Sequence, residues 1–255
     1  MAYRTTPTVE ARLADNRARI VDAALNCISE GGWAGVVIAQ VADAAGVSVG
    51  AVYRYFPSKG ELLAQAYSVQ TRRETEFIAR IAASELPAAE KLSAAIRGFA
   101  ARAVKGRRLA YAMLGEPAAP VVEAARLEYH AAFVQIFGAI VQAGIDRGDF
   151  ESATAEVSAA CIVGAMREAL IGPLSPAYAK LGLSESQLID ELSSFCLRAV
   201  LQAGREQPAA RRGTGKQIKS APAVTRRPVS KTTAIRRSPN DHRPDSLTTR
   251  KRPKP

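Results

Sequence analysis

Residues 48–59 combine small, aromatic and basic side chains in a pattern suited to contact with double-stranded DNA. An arginine such as Arg54 can donate two hydrogen bonds to a guanine edge, and tyrosine or lysine can donate to a phosphate. Lys59 falls in the first turn of a predicted helix, where the helix dipole disfavours a cation and a phosphate partner would explain its position. The candidate DNA-contacting residues are Ser48, Val49, Gly50, Ala51, Tyr53, Arg54, Tyr55 and Lys59.

Two short helices joined by a tight turn would position these side chains. Apolar residues recur at helical spacing over residues 38–45, and Gly46 can adopt the positive φ that ends a helix. Ser48 is expected to cap the second helix by accepting a hydrogen bond from its first turn. The expected buried stripe of that helix is Val47, Val52 and Phe56. The segment therefore has the pattern of a helix-turn-helix.

Residues 42–63, ADAAGVSVGAVYRYFPSKGELL, closely resemble the TetR/AcrR family of bacterial transcriptional regulators, and a weaker resemblance extends over roughly residues 17–204. It implies an all-α homodimer whose N-terminal three-helix head reads DNA and whose C-terminal helical bundle pairs the subunits and binds a small effector. It also implies that Tyr53, Tyr55 and Lys59 touch the DNA backbone, while Val49, Gly50, Ala51 and Arg54 face the bases.

The predicted head differs from that family in the residues around the start of its second helix. Where the family often has Ser or Thr followed by a basic residue, this chain has Val36, Val37 and Ala39. We therefore expect the corresponding phosphate contacts to be absent. Residues 1–65 hold six basic and six acidic side chains, so the head is formally neutral and its affinity for DNA is expected to be modest.

The net charge of +11 is concentrated after residue 204. Residues 205–255 contain fifteen Lys and Arg against three Asp and Glu, a formal charge of +12, which leaves −1 for residues 1–204. This tail has seven of the 14 prolines and no Phe, Trp or Tyr, so we expect it to be disordered. Its paired arginines suit sequence-independent contact with DNA phosphates, although a solubilising tail without a partner has the same composition.

The sequence divides into four predicted segments. They are a flexible N-terminal arm (1–15), the helix-turn-helix domain (16–65), an effector-binding and dimerisation domain (66–204) and the disordered basic tail (205–255). Beyond the helix-turn-helix, apolar periodicity and capping residues, including possible capping boxes at Ser58 and Ser184, predict six helices. They cover residues 58–83, 88–105, 109–114, 121–143, 152–171 and 184–203.

The last two helices resemble the family's dimer interface. The small residues that would permit close approach of helices are Ala160, Gly164 and Ala165. The accompanying apolar stripe is Leu188, Leu192, Phe195, Ala199 and Val200. The same stripes would also fit the core of a single subunit, so both interpretations stay open at this point.

A small effector is implied by the resemblance, with a cavity formed by the predicted helix 58–83, which we call the connector helix, and the helices near 97–114, 121–143 and 152–171. A mostly apolar effector fits the residue types of this lining best. The candidate lining residues are Phe99, Tyr111, Arg126, Tyr129, Phe133, Phe137 and Arg167. Further polar candidates are Arg97, Arg108, Glu116, His130 and Glu168. The aromatic residues would equally form a plain core, and each polar residue could instead be solvated.

Little in the sequence indicates catalysis. The chain has only two histidines and lacks a Gly-rich phosphate loop, a nucleophile elbow and His/Cys metal spacing. Glu116, Glu123 and Glu128 could supply an acid pair, but nothing fixes their separation. We therefore expect no enzymatic activity, no cofactor and no metal.

The three cysteines, Cys27, Cys161 and Cys196, each lie on an apolar helical stripe and are expected to be buried reduced thiols. No apolar run reaches the roughly 18 residues of a membrane span, and the N-terminus does not resemble a signal peptide. We therefore expect a cytoplasmic protein without a membrane partner, associated with the nucleoid when it is bound to DNA.

The predicted function is a ligand-responsive repressor that acts as a homodimer on a palindromic DNA operator, with two heads about 34 Å apart in successive major grooves. The alternative is a general or architectural DNA-binding protein in which the basic tail dominates. The alternative differs in predicting that the protein binds any duplex at low salt without a preferred operator.

Overall fold

The structure is a computed structural model that describes residues 7–151, 154–177 and 182–201. Within these residues the chain folds into nine α-helices, and an isolated antiparallel bridge joins Phe150 to Leu201. The helices are α1 (Pro7–Gly31), α2 (Ile38–Ala44), α3 (Val49–Tyr55), α4 (Lys59–Ala82), α5 (Ala88–Lys105), α6 (Arg107–Leu114), α7 (Pro120–Asp146), α8 (Ala155–Leu174) and α9 (Glu185–Arg198). The all-α prediction is confirmed. The predicted tail lies outside the described residues.

The head is built from α1, α2, α3 and the first part of α4, which bury one apolar cluster. Ile20, Val41, Val52 and Leu62 show how each helix contributes one apolar stripe to this core. The cluster also contains Ala112 and Met113 of α6 and Val122 of α7. The core of the head is therefore completed by residues from the rest of the chain, and residue 65 lies inside the continuous helix α4.

The larger bundle is formed by the second half of α4 together with α5, α7, α8 and α9. Its most deeply buried side chains include Ile78, Leu92, Ile96, Phe137, Ile162 and Leu170. The short helix α6 packs against α1 of the head as well as α5 and α8 of the bundle. This position makes α6 a physical link between the two cores.

The predicted flexible arm is wrong over residues 7–15, which belong to α1, while residues 1–6 lie outside the described part of the chain. Proline is favoured in the first helical turn because an N–H there has no intrahelical partner, and Glu10 complements the helix dipole. This first part of α1 buries little apolar surface, and both Val9 and Leu13 are exposed. The sequence of this part therefore lacks the pattern of buried apolar residues that would have predicted where α1 begins.

Three helices of the bundle end several residues away from the predicted positions, and the first of them, α7, ends at Asp146 where the sequence predicts residue 143. Helix α8 continues past Ile171 to Leu174, because Pro173 lies in its last turn, where the missing N–H leaves a single carbonyl without its helical partner. Helix α9 ends at Arg198 because the chain turns to pair with the segment after α7, where the Glu151 N–H donates to Val200 O at 2.8 Å.

The caps of α4 and α9 differ from each other. At α9 the predicted capping box is present in both directions, between Ser184 and Gln187. At α4 the Ser58 hydroxyl accepts from the Glu61 N–H at 3.1 Å, but the return bond from Glu61 is not formed, so only half of the predicted box is present. The hydroxyl contact alone satisfies one free N–H of the first turn.

Among the described residues, helix α8 is long and apolar enough to meet the length and composition of a membrane span, with 20 residues and a mean hydropathy of 1.4. The sequence of α8 contains no uninterrupted apolar run of that length, because charged residues such as Glu156 and Arg167 interrupt it. One face of α8, with Ala159, Ile162 and Leu170, is buried in the bundle core. A helix of this composition is typical of a protein core, and in α8 a second apolar face remains exposed.

Candidate DNA-binding surface and effector cavity

The turn between α2 and α3 has the local geometry that the sequence predicts. Gly46 adopts a φ of +62°, and the Val47 N–H donates to Ala42 O at 2.9 Å across the turn. The Ser48 hydroxyl accepts from the Ala51 N–H at 3.1 Å and so caps α3. Val37 precedes α2 without any side-chain cap. Local hydrogen bonding therefore fixes the direction of α3.

Three polar residues of α1 contact the turn of the helix-turn-helix and the end of α3. Arg19 donates to Ala45 O beside the turn, and Asn16 donates to the Tyr55 hydroxyl at 3.3 Å. Arg17 lies over the Phe56 ring, 5.0 Å from its centroid. These roles could not be predicted from the sequence, because an arginine on an exposed helix face does not reveal which distant carbonyl or ring it will contact.

The solvent-facing side of α3 consists of Val49, Gly50, Tyr53 and Arg54, all of which are exposed. A Cβ built on Gly50 would meet only the Ser48 hydroxyl oxygen, at 4.0 Å, so packing within the chain does not require glycine there. A bare backbone at this point leaves room for close approach of another molecule.

The remaining predicted DNA-contacting residues border this side of α3. Ser48 and Lys59 are exposed, and Ala51 is partly exposed. Tyr55 is half-buried and packs against the core of the head, so its ring is less available than that of Tyr53. The Arg54 guanidinium lies 5.7 Å from the centroid of the Tyr55 ring.

The head is fastened to α6 by a junction of Gly31, Trp33, Arg108, Ala112 and Glu116, which we call the α6 junction. Trp33 is buried and its Nε1–H donates to Ala112 O at 3.0 Å. Arg108 donates to both carboxylate oxygens of Glu116, at 2.7 and 2.9 Å, and to Gly31 O at 3.0 Å. The hydrogen bonds to Glu116 raise the pKa of Arg108, so the guanidinium stays charged.

Two adjoining cavities lie between α4, α5, α6, α7 and α8. The inner cavity has a volume of about 100 Å³ and the outer cavity about 460 Å³. Both are lined by Tyr67, Phe99, Met113, Leu114 and Phe133. Phe99 and Phe133 meet edge to face with centroids 5.8 Å apart. The shared wall is apolar, as small-molecule cavities commonly are.

Five of the seven predicted effector residues line a cavity. Phe99 and Phe133 line both, whereas Arg126, Phe137 and Arg167 line the outer one. Tyr111 and Tyr129 line neither, so their positions contradict the prediction. The Tyr129 ring instead packs edge-on against Tyr67 at 5.9 Å, and Tyr111 lies beside Arg108. Tyr111 packs against the core of the bundle and Tyr129 against the core of the head, which agrees with the alternative that such aromatic residues form a plain core.

The inner cavity carries an ion pair that the sequence did not reveal. Arg102 on α5 donates to one carboxylate oxygen of Glu74 on α4, from Nη2 at 2.7 Å and from Nε at 3.1 Å, and its guanidinium stacks on Phe77 at 3.4 Å. Both partners line the cavity wall. Burial raises the pKa of the nearby Tyr67 hydroxyl, which therefore stays protonated. The pair ties the connector helix to the bundle.

The other polar candidates are divided between the surface and the cavities. Arg97 pairs with Asp190 on α9 at 2.5 Å, away from both cavities, and Arg108 and Glu116 belong to the α6 junction. His130 and Glu168 line the outer cavity.

The end of α6 is held by two arginines of the outer cavity. Arg126 donates to three backbone carbonyls there, those of Ala112, Met113 and Glu116, at 3.0–3.2 Å, and pairs with Glu123. Arg167 donates from Nε to Leu114 O at 3.0 Å. Cations at a helix C-terminus satisfy carbonyls and complement its dipole.

The predicted pairing stripe on α8 and α9 is only partly available. Leu192 and Val200 are buried in the core of their own chain, as the alternative interpretation of the sequence expects. Ala160, Cys161 and Gly164 are exposed along one face of α8, together with Val157 at 61% exposure. Phe195 on α9 is 58% exposed, and Ala199 is exposed as well. We call this open apolar surface the α8–α9 face.

Comparison with known sequences places the helix-turn-helix among regulators. The family described as bacterial regulatory proteins, tetR family, matches residues 20–66. The HTH-type transcriptional repressor KstR of Rhodococcus jostii is 46% identical over 59 residues, which are 23% of this chain and 28% of that protein. The match spans between about a quarter and two fifths of the length of the curated relatives.

Solved structures extend the similarity to the whole fold. FadR of Bacillus subtilis, solved with stearoyl-CoA, aligns with a TM-score of 0.58 and 20% identity over 72% of this chain and 97% of FadR. RolR, solved with resorcinol, aligns with a TM-score of 0.55 and 19% identity over 76% of this chain and 92% of RolR. At these identities the similarity shows a shared fold.

Proposed function

Since the chain belongs to the TetR family of bacterial regulatory proteins, we propose that it is a DNA-binding transcriptional repressor that acts in the cytoplasm. The observation that carries this proposal is the exposed side of α3, where Val49, Gly50, Tyr53 and Arg54 face solvent. Ser48 caps the start of this helix, and Asn16 of α1 contacts its end. In this proposal Arg54 reads a base edge, while Tyr53 and Lys59 contact phosphates.

We propose that the repressor is a homodimer paired through the α8–α9 face. The exposed small residues Ala160 and Gly164 leave room for close helix approach, and a Cβ built on Gly164 would meet nothing within 4 Å. Val157 and Phe195 would lose their large exposed surfaces on pairing. A two-fold dimer would bring two α3 helices to the half-sites of a palindromic operator.

The proposed effector enters the adjoining cavities and weakens DNA binding. It would act by favouring an arrangement of α4 and α6 that changes the separation of the two heads, which requires different affinities for the two arrangements. Support comes from the position of Tyr67, Phe99 and Met113, which join α4, α5 and α6 around one apolar space. FadR and RolR have the same fold and were solved with small molecules.

The charge of residues 205–255 supports a second proposal, that this basic segment adds sequence-independent affinity for DNA. The same charge also keeps the architectural alternative in view. Removing residues 205–255 should weaken binding and flatten its dependence on salt while the preference for the operator is retained. If the shortened chain loses its preference along with its affinity, the architectural interpretation is favoured.

The experiment that tests the repressor is a selection from random duplexes by the full chain, followed by salt titrations on the selected site and on a scrambled duplex of equal length. Arg54→Ala should reduce the discrimination between the two duplexes by about 1–3 kcal/mol if Arg54 contacts a guanine. Arg80→Ala is the matched control, because Arg80 is exposed on α4, outside the helix-turn-helix. Failure to enrich any sequence would overturn the proposal of an operator-specific repressor.

A further inference from the structure

Arg167 is placed on the outer cavity with most of its hydrogen-bonding capacity unused. Its Nε donates to Leu114 O at 3.0 Å, which fixes the guanidinium plane against the end of α6. None of the ion pairs formed by the described residues includes Arg167, whereas Arg102, Arg108 and Arg126 each have a carboxylate partner. Both Nη groups of Arg167 therefore remain available to a carboxylate on a bound molecule.

Among the charged groups around this cavity, Arg167 is a cation that an anionic ligand could contact. Arg126 and Glu123 neutralise each other, with 2.6 Å between Nη1 and Oε2. The remaining titratable groups on the wall besides Arg167 are Tyr67, His130 and Glu168. Glu168 follows Arg167 directly on α8, where consecutive side chains do not face each other, and among the described residues it forms no ion pair with Arg167. An anionic group beside Arg167 would meet a fixed bidentate donor.

The rest of the cavity is apolar. Phe133, Phe137, Val163 and Met166 line it beside Arg167, and the wall that contains Phe99 and Met113 continues into the inner cavity. A volume of about 460 Å³ lies within the range of small-molecule sites. An apolar body of moderate size would fill this space, and only one end of it would meet charge.

We propose that the effector is an apolar carboxylic acid, and that Arg167 binds its carboxylate. This inference rests on the proposed effector function and names the ligand class of that site. The apolar body lies between Phe133, Phe137 and Met166, and the carboxylate accepts hydrogen bonds from the Nη groups. Because Arg167 also holds Leu114 O, the bound anion acts on the end of α6, two residues beyond the Ala112 carbonyl that Trp33 contacts.

The test uses three probes with the same ten-carbon body: decanoate, decanol and decylamine. Calorimetric titration of the full chain measures each Kd, and the emission of Trp33, the single tryptophan, reports on the α6 junction. We expect decanoate to bind at least about tenfold more tightly than the other two and to change the Trp33 emission. Arg167→Met should remove that advantage and leave the Kd of decanol unchanged.

Two further variants separate charge from structure. Arg167→Lys keeps the cation and should retain part of the preference for decanoate. Arg80→Met removes an exposed arginine outside both cavities and should change no Kd. Thermal melting of each variant shows that the fold is intact before binding is compared.

The outcomes separate this inference from the function on which it rests. Equal binding of decanol and decanoate, or an unchanged preference in Arg167→Met, would overturn the assignment of a carboxylic acid and leave an effector site for neutral molecules. If none of the three probes binds while the full chain still binds its selected operator, the cavity is not an effector site. The effector part of the proposed function would then fall together with this inference, and DNA recognition would stand.

Discussion

Replacing Gly32 by alanine should disconnect the head from α6. Gly32 has a φ of +66°, and a Cβ built on it would overlap the guanidinium of Arg108 and the carboxylate of Glu116. The guanidinium ends a flexible side chain and can swing away, but it then loses its hydrogen bonds to Gly31 O and Glu116. The substitution therefore combines a backbone cost with the loss of the junction.

The size of the effect follows from these two parts. A left-handed conformation costs a residue with a Cβ about 1–2 kcal/mol. Losing the charged hydrogen bonds of Arg108, whose side chain is 24% exposed, costs about 1.5–3 kcal/mol more. We expect Gly32→Ala to lower the free energy of unfolding by about 2.5–5 kcal/mol. Gly148→Ala is the matched control, since Gly148 has a φ of +76° with nothing within 4 Å, so only the backbone cost of about 1–2 kcal/mol applies.

A double-mutant cycle with Arg108→Ala isolates the junction. The alanine removes the group that the new Cβ would displace, so Gly32→Ala should then cost only about 1–2 kcal/mol. Urea unfolding at one fixed protein concentration gives the four free energies, because the stability of a dimer depends on concentration. An equal cost of Gly32→Ala in both backgrounds would refute the reasoning, since it would show that the junction contributes nothing to the effect.

The other predictions concern the proposed pairing of subunits, the thiols and the proposed contact with the DNA backbone. Phe195→Glu places a charge on the α8–α9 face and should shift the sedimentation of the protein from dimer to monomer. Leu86→Glu, at an exposed leucine outside this face, should leave the sedimentation unchanged. If Phe195→Glu still sediments as a dimer, the subunits pair through another interface. Burial raises the pKa of Cys196 to about 11, so about 0.1% of this thiol is thiolate at pH 8. A disulfide reagent should therefore label Cys196 only after the protein is unfolded. Equally fast labelling of Cys196 in native and urea-unfolded protein would contradict this. Lys59→Ala should weaken binding to the operator and to a scrambled duplex alike, and it should lower the slope of log affinity against log salt concentration by about one. A loss of affinity for the operator alone would mean that Lys59 contacts a base.

The parts of the molecule that the sequence predicted well depend on neighbours along the chain. Gly46, Ser48 and Val52 act through residues within one or two turns, so their types and spacing sufficed to predict the helix-turn-helix. The cavity walls depend on contacts between helices that are distant in sequence. Glu74 and Arg102 are 28 residues apart, and nothing in either helix alone indicates the pair that they form. Helical spacing placed Tyr129 on an inward face without showing that its neighbour would be Tyr67 of the connector.

A fragment consisting of residues 1–65 should fail to fold, although the sequence predicts a head domain with that boundary. The cut removes Ala66, Tyr67, Ala112, Met113 and Val122 from the core of the head. Burial of Met113 and Val122 alone contributes about 3–6 kcal/mol, which is comparable to the whole stability of so small a domain. The fragment should therefore show weak helical circular dichroism and no cooperative melting, whereas residues 1–204 should melt cooperatively. A cooperative transition in the short fragment would mean that the head folds independently with its own core. Any coupling through α6 would then act on a domain that does not need α6 in order to fold.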